Sequence, residues 1–86
     1  PIESRLITRA EMAAMTVRAL GTGTPGGAGS LNFADRGQIP AWAKPYIASA
    51  VEKGIMHGRA GSLFAPNAHA TRAEAVAVIL SVLEQR

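Results

Sequence analysis

Apolar residues recur at helical spacing near both ends of the 86-residue chain. Toward the C-terminal end they fall at i, i+3, i+4 and i+7, which is one stripe of an α-helix: Val76, Ile79, Leu80 and Leu83. Because Ala75, Val78 and Val82 widen this stripe, the helix is predicted to be buried on more than one side. Residues 12–20 form a similar apolar run, and Gly21 is predicted to end that first helix.

Both apolar runs follow the same four residues, Thr-Arg-Ala-Glu. A Thr followed three residues later by Glu is a capping box, in which each side chain bonds the backbone N–H of the other residue. Thr8 with Glu11, and Thr71 with Glu74, are therefore predicted to begin the two helices. An offset of 63 residues superposes the two runs over their whole length. The chain therefore contains an internal repeat, of which only the last third appears twice.

A connection and a second helical region are predicted between the two runs. Residues 21–30, GTGTPGGAGS, are typical of a flexible linker. Pro40 and Pro45 suit first helical turns, apolar residues then continue at helical spacing, and Gly54 is predicted to end the region. The stretch 54–67 is predicted to be loop, with at most a short extended piece within it.

These elements predict an all-α fold and a division of the chain into three parts. Residues 1–20 are expected to be the terminal helix of a preceding unit, 21–30 the linker, and 31–86 one complete unit of helix, Gly-rich loop and capped helix. The chain begins with Pro1 rather than Met, so we expect it to be a piece of a longer protein.

Composition removes several functional classes from consideration. No cysteine is present, which excludes disulfides and thiolate metal sites. No apolar run approaches the ~20 residues of a membrane span. The net charge of +3 comes from scattered basic residues, whereas a nucleic-acid binder of this size would cluster them. His57 and His69 have no third ligand in view, and no nucleophile or carboxylate pair is suggested, so neither a metal, a cofactor nor catalysis is predicted.

Short motifs in a fixed order resemble an S-layer homology (SLH) repeat. Each is weak alone, but their order is specific: Phe33-x-Asp35, Trp42-Ala43, Tyr46-Ile47, Gly54-Ile55-x-x-Gly58, Gly61-x-x-Phe64-x-Pro66-Asn67 and Thr71-Arg72-Ala73-Glu74. The resemblance covers 31–86 as one complete repeat, and 1–20 looks like the tail of the preceding one. Two departures are Ala60, where an acidic residue is usual, and Ala70, where a larger aliphatic residue is usual.

The resemblance implies a non-catalytic anchor on the outside of a bacterium, in its cell wall or S-layer. SLH repeats hold surface proteins to a secondary cell-wall polysaccharide, often one with a pyruvate ketal, in grooves between neighbouring repeats. SLH repeats place the arginine of the Thr-Arg-Ala-Glu motif near that acidic sugar. The resemblance therefore implies ligand-binding roles for Arg72 and Arg9. The polysaccharide and neighbouring SLH repeats are the implied partners, without nucleic acid or membrane.

The chemistry of the candidate residues agrees with an acidic sugar. A guanidinium meets a planar carboxylate with two parallel hydrogen bonds, and a helix N-terminus adds free N–H groups. Gly58 lets backbone donors approach, Arg59 offers a second cation, and Trp42 offers a flat face to a sugar ring.

Structural interpretations of the same residues remain open. The arginines would then be solvated, Trp42 would be a core or groove-wall residue, and Gly58 would serve backbone geometry alone. The rival functions are a structural repeat that packs on its neighbours or forms a homo-oligomer without binding sugar, and a small helical DNA binder.

Overall fold

The structure is a computed structural model that describes residues 7–21 and 31–84. It contains three α-helices: α1 (Arg9–Leu20), α2 (Lys44–Glu52) and α3 (Arg72–Glu84). Two 3₁₀ turns, Arg36–Gln38 and Ala41–Ala43, precede α2. The predicted linker at 22–30 lies outside the described residues, as do 1–6 and 85–86.

The all-α prediction is confirmed. Within the described ranges there is no strand, and β-type pairing is limited to the isolated bridges Thr8–His69 and Arg59–Leu63. The extended piece expected within the loop is therefore reduced to one bridge. No helix in the described part of the chain is long and apolar enough to cross a membrane.

Both capping boxes form. The Glu11 N–H donates to Thr8 Oγ1 at 3.1 Å, and the Thr8 N–H donates to Glu11 Oε1 at 2.8 Å. In α3, the Glu74 N–H donates to Thr71 Oγ1 at 3.0 Å and the Thr71 N–H to Glu74 Oε1 at 2.8 Å. The first helix ends as predicted at Gly21, whose φ of 61° is left-handed and costs glycine nothing.

The core lies where α1 packs along α2 and on the residues of the loop that follows it. Its members are Ala, Val, Leu, Ile and Met apart from Phe64, which is fully buried with Ile47 and Pro66. The N-terminus of α1 is also held by the backbone of the loop, since Arg9 N–H donates to Ala68 O at 2.9 Å and Ala10 N–H to Pro66 O at 3.0 Å. Helix α1 is thus joined to the complete unit by both packing and hydrogen bonds.

The orientation of α3 corrects the sequence prediction. We expected burial on more than one side of this helix, with its main apolar stripe included. The stripe is instead 51–61% exposed at every position: Val76, Ile79, Leu80 and Leu83. The widening residues face the core, with Val78 buried and Ala75 and Val82 partly buried against it. Periodicity identifies an apolar face, but it does not say which neighbour is present to cover it.

Candidate functional site

Arg9 is the most thoroughly enclosed charged residue of the candidate site, with 3% of its surface exposed. Its Nε donates to Phe64 O at 2.9 Å, Nη2 donates to His57 O, and Nη1 donates to Glu74 Oε2. The guanidinium carbon also lies 4.6 Å from the centroid of the Phe64 ring, which adds a cation–π contact. Arg9 therefore ties α1 to the loop and to α3 at one point.

Glu74 completes this cluster from the first turn of α3. Its carboxylate accepts from Arg9, from Arg59 Nη2 at 2.8 Å and from Arg59 Nε at 3.2 Å, besides closing its own capping box. Arg59 also donates to His69 O at 3.2 Å. Two guanidinium groups thus share one carboxylate, and the cluster carries a net positive charge.

The ion pairs shift the ionisation of the cluster. The hydrogen bond from Arg59, helped by the Thr71 N–H and the charge of Arg9, lowers the pKa of Glu74 from 4.5 to about 2, against the opposing effect of burial. Burial lowers the pKa of Arg9, and the nearby Glu74 opposes this. Arg9 still remains a cation at neutral pH, because arginine does not lose its proton in proteins.

We expect the Glu74 contacts to make the protein acid-sensitive in a defined window. A carboxyl whose pKa is depressed in the folded state stabilises it above the unfolded pKa, and that stabilisation disappears as pH falls through the folded pKa. The free energy of unfolding should therefore fall between pH 4.5 and about 2, as measured by urea unfolding at each pH. Glu74→Gln should remove most of this loss.

The first capping box supplies the control for this experiment. Glu11→Gln changes the equivalent carboxylate, and it should leave the acid-induced loss in place because Glu74 keeps both arginine contacts. If Glu11→Gln removed the loss of stability at low pH as fully as Glu74→Gln does, the assignment of that loss to Glu74 would be contradicted.

A pocket of about 160 Å³ opens beside the cluster. Its wall comprises the start of α1, the loop after α2 and one side of α3: Arg9, Ile55, Met56, His57, Gly58, Glu74, Ala77 and Val78. The pocket therefore lies between α1, the loop after α2 and α3, and its lining includes the charged residues Arg9 and Glu74 and the apolar residues Ile55 and Val78.

The loop that forms one wall is held in place by Asp35 and Gly58. The Asp35 carboxylate accepts from the N–H groups of Phe64 and Ala65, both at 2.9 Å. A Cβ on Gly58 would lie 2.6 Å from Phe33 Cε1 and 3.0 Å from Leu63 O, so only glycine fits there without a shift. The ring of Phe33 in turn packs on that of Phe64, with centroids 5.3 Å apart.

The predicted ligand-binding residues are dispersed by the fold. Arg9 and Gly58 line the pocket, and Arg59 bonds to Glu74, which also lines it. Arg72 and Trp42 do not line this pocket. Arg72 is exposed at the start of α3, and Trp42 is 51% exposed in the second 3₁₀ turn.

Some pocket residues were not identified from the sequence. The sequence predicts only a capping role for Glu74 and a packing role for Val78, and it predicts no binding role for Met56 or Ala77. Nothing about Ala77 in the sequence predicts that it lines a pocket, and it does so because of the way α3 packs. His57 contributes its backbone carbonyl, which accepts a hydrogen bond from Arg9, and no side-chain type in the sequence predicts such a contact. Within the described ranges, no group of His, Asp and Glu is arranged to hold a metal ion.

The profile of the S-layer homology domain matches residues 32–76, which is just over half of the chain. The chain belongs to the S-layer homology family. Domains of this family occur in S-layer proteins and cell-surface enzymes, where they are non-catalytic modules that anchor to the cell wall. Membership therefore indicates a location at the cell surface. The match includes the second Thr-Arg-Ala-Glu stretch and the whole Gly-rich loop.

Individual relatives agree with this assignment to the SLH family. The chain is 40% identical over 82 residues to an amylopullulanase of Thermoanaerobacterium thermosulfurigenes, and 40% identical over 82 residues to the exoglucanase XynX of Acetivibrio thermocellus. It is 36% identical over 80 residues to a surface-layer 125 kDa protein of Lysinibacillus sphaericus. These alignments include 92–93% of this chain but only 4–8% of the relatives. No solved structure shows significant similarity to the chain.

Proposed function

We propose that this chain is a non-catalytic anchoring module that binds an acidic, pyruvylated secondary cell-wall polysaccharide in the pocket beside Arg9. The observation that carries the proposal is the pocket itself, which combines a cationic cluster with an apolar wall where α1, the loop after α2 and α3 meet. A longer surface protein would be tethered through it.

The pocket is large enough for part of one sugar residue. Its volume of about 160 Å³ is close to that of an engineered cavity of about 150 Å³ that holds benzene, and a sugar ring with its hydroxyl groups is larger than benzene. The apolar side formed by Ile55 and Val78 would pack on the ring face or on the methyl group of a pyruvate ketal. A polymer enters such a site one residue at a time, so a small pocket is no obstacle.

The charges favour a carboxylate at the Arg59 side of the cluster. Arg9 donates a hydrogen bond to the protein from each of its three nitrogens. It therefore contributes a fixed positive charge and is not free to form a two-bond contact with a ligand carboxylate. Arg59 is more accessible, with 35% of its side chain exposed. Its Nη1 donates to no residue of the described part of the chain, and it is the group that we assign to the ligand carboxylate. Arg72 and Trp42 do not line the pocket, and they have no part in the proposed binding.

The proposal is tested by sedimenting the protein with purified Gram-positive cell walls, either native or stripped of their secondary polymer. We expect binding to native walls only. Ala77→Leu, which fills the pocket with a good helix former, should abolish it, and Arg59→Ala should weaken it about tenfold, the effect of losing roughly 1.4 kcal/mol from a charge-assisted bond. Helix content by circular dichroism verifies that each variant is folded.

Two substitutions outside the pocket serve as matched controls. Ala73→Leu makes the same change on an exposed position of α3 that does not line the pocket, and Arg72→Ala removes the exposed arginine of the same motif. Both should bind like the wild type. Equal binding to stripped walls would contradict polysaccharide recognition, and a loss caused by Arg72→Ala alone would move the site to the start of α3.

A further inference from the structure

Glu74 is the acceptor at which both guanidinium groups of the cluster meet. Its Oε1 accepts from Arg59 Nη2 and from the Thr71 N–H, both at 2.8 Å. Its Oε2 accepts from Arg59 Nε at 3.2 Å and from Arg9 Nη1. A carboxylate offers about four acceptor positions, so these contacts use all of them. Glu74 therefore serves as the counter-ion of two arginines at once.

The donors of Arg59 are largely committed to the protein as well. Its Nε donates to Glu74, and its Nη2 donates both to Glu74 and to His69 O, the latter at 3.2 Å. Among its N–H groups, only those of Nη1 have no acceptor in the described part of the chain. Two parallel bonds to a carboxylate need two neighbouring nitrogens, and either such pair includes Nη2. A ligand carboxylate can therefore gain that contact only by displacing an acceptor that the protein supplies.

The position of Glu74 makes it the acceptor that a ligand in the pocket would displace. Glu74 lines the pocket, whereas Arg59 and His69 do not. The side chain of Arg59 is 35% exposed, so it can turn to a new partner without disturbing the core. Arg9 cannot do so, because it is 3% exposed and its other two nitrogens donate to backbone carbonyls. Arg59 is thus the member of the cluster that can change partners.

We propose that Glu74 competes with the ligand for Arg59: its carboxylate holds the guanidinium until the carboxylate of an acidic sugar takes its place. The inference rests on the proposed function and adds a basis for selectivity. A small anion gains only the exchange of one carboxylate for another. A sugar that also packs on Ile55 and Val78 gains apolar burial in addition. Glu74 meanwhile keeps the buried Arg9 paired.

Glu74→Gln tests this competition, because it removes the negative charge while glutamine still suits the capping box. The probes are a monosaccharide that carries a pyruvate ketal and the methyl ester of the same sugar, which lacks the charge. NMR chemical-shift titration measures the affinity for each. We expect Glu74→Gln to bind the acid about fivefold more tightly than the wild type does, which corresponds to about 1 kcal/mol. It should bind the ester no more tightly than the wild type.

Glu11→Gln is the matched control. It makes the same change at the same position of the other capping box, and it raises the net charge of the chain by the same amount. Glu11 does not line the pocket, so the affinity for the acid should remain that of the wild type. A gain equal to that of Glu74→Gln would overturn the proposal, because net charge alone would then explain it.

The same titration gives a second readout from the Nε–H signals of the two arginines. In the wild type, the acid should shift the signal of Arg59, whose Nε leaves Glu74, and should leave that of Arg9 in place, because its Nε donates to Phe64 O. An unmoved Arg59 signal, or acid binding that Glu74→Gln does not strengthen, would overturn this proposal alone. Failure of the wild type and both variants to bind either probe would overturn the proposed function and this inference with it.

Discussion

Replacing Arg9 by alanine should destabilise the protein by about 3–5 kcal/mol, the usual effect of removing one partner of a buried ion pair. The substitution removes the donor from the buried carbonyl of Phe64 and from the part-buried carbonyl of His57, and it empties the space above the Phe64 ring. Glu74 keeps only Arg59. Since small domains have a total stability of about 5–15 kcal/mol, we expect a large fall in the urea midpoint measured by circular dichroism.

The same substitution in the second motif is the natural control. Arg72→Ala changes the equivalent residue of an identical four-residue stretch, but its side chain is exposed. Substitutions at such surface positions usually change stability by no more than about 0.5 kcal/mol. Equal losses from the two variants would contradict the different roles that the structure gives to Arg9 and Arg72. Arg9→Lys should recover little, because an ammonium cannot reach three separate acceptors as a guanidinium does.

Truncation of Phe64 is expected to have a comparably large effect. Its side chain is fully buried, packs on Phe33 and supports the guanidinium of Arg9. Phe64→Ala should therefore cost about 3–5 kcal/mol through lost burial and the cavity that remains. Phe64→Leu keeps most of the side-chain volume and should cost less stability. The loss that Phe64→Leu still shows would come from the missing ring contacts.

The neighbouring residue provides the comparison for Phe64. Leu63 is 39% exposed, so Leu63→Ala removes apolar carbons, fewer than Phe64→Ala does, from a position that is not enclosed. Urea unfolding should show a loss several times smaller than that of Phe64→Ala. A larger loss at Leu63 would mean that the loop packs differently from the arrangement described. The double variant of Arg9 and Phe64 should lose less than the two single losses together, because the residues share their contact.

The roles of the arginines bear on how the anchor would recognise its polymer. Two identical motifs present one buried and one exposed guanidinium, and only the buried one lies in the pocket. Arg9, which donates one hydrogen bond from each of its three nitrogens, positions the loop and supplies charge. The accessible cation of the cluster is Arg59, a loop residue outside the motif. We therefore expect wall binding to depend on the loop more than on the motif that recurs in the sequence.

Local chemistry in the sequence was sufficient for several predictions. Thr and Glu at the required spacing marked the start of α1 and α3, a glycine marked the end of α1, and helical periodicity predicted an all-α fold. The ordered motifs also identified the SLH family correctly. The helix boundaries depend on residues within a few positions of one another, because a capping box and a left-handed C-terminal residue are satisfied inside one turn of chain.

Only the tertiary structure decided which faces and charges are buried. Periodicity predicted an apolar stripe on α3, yet that stripe is exposed because the described part of the chain packs on the other side of this helix. Arg9 and Arg72 have identical local sequences, and they differ through contacts with Phe64 and Glu74, which lie 55 and 65 residues from Arg9. Burial and ion pairing at such separations depend on how whole elements pack, and no local pattern of side chains encodes that.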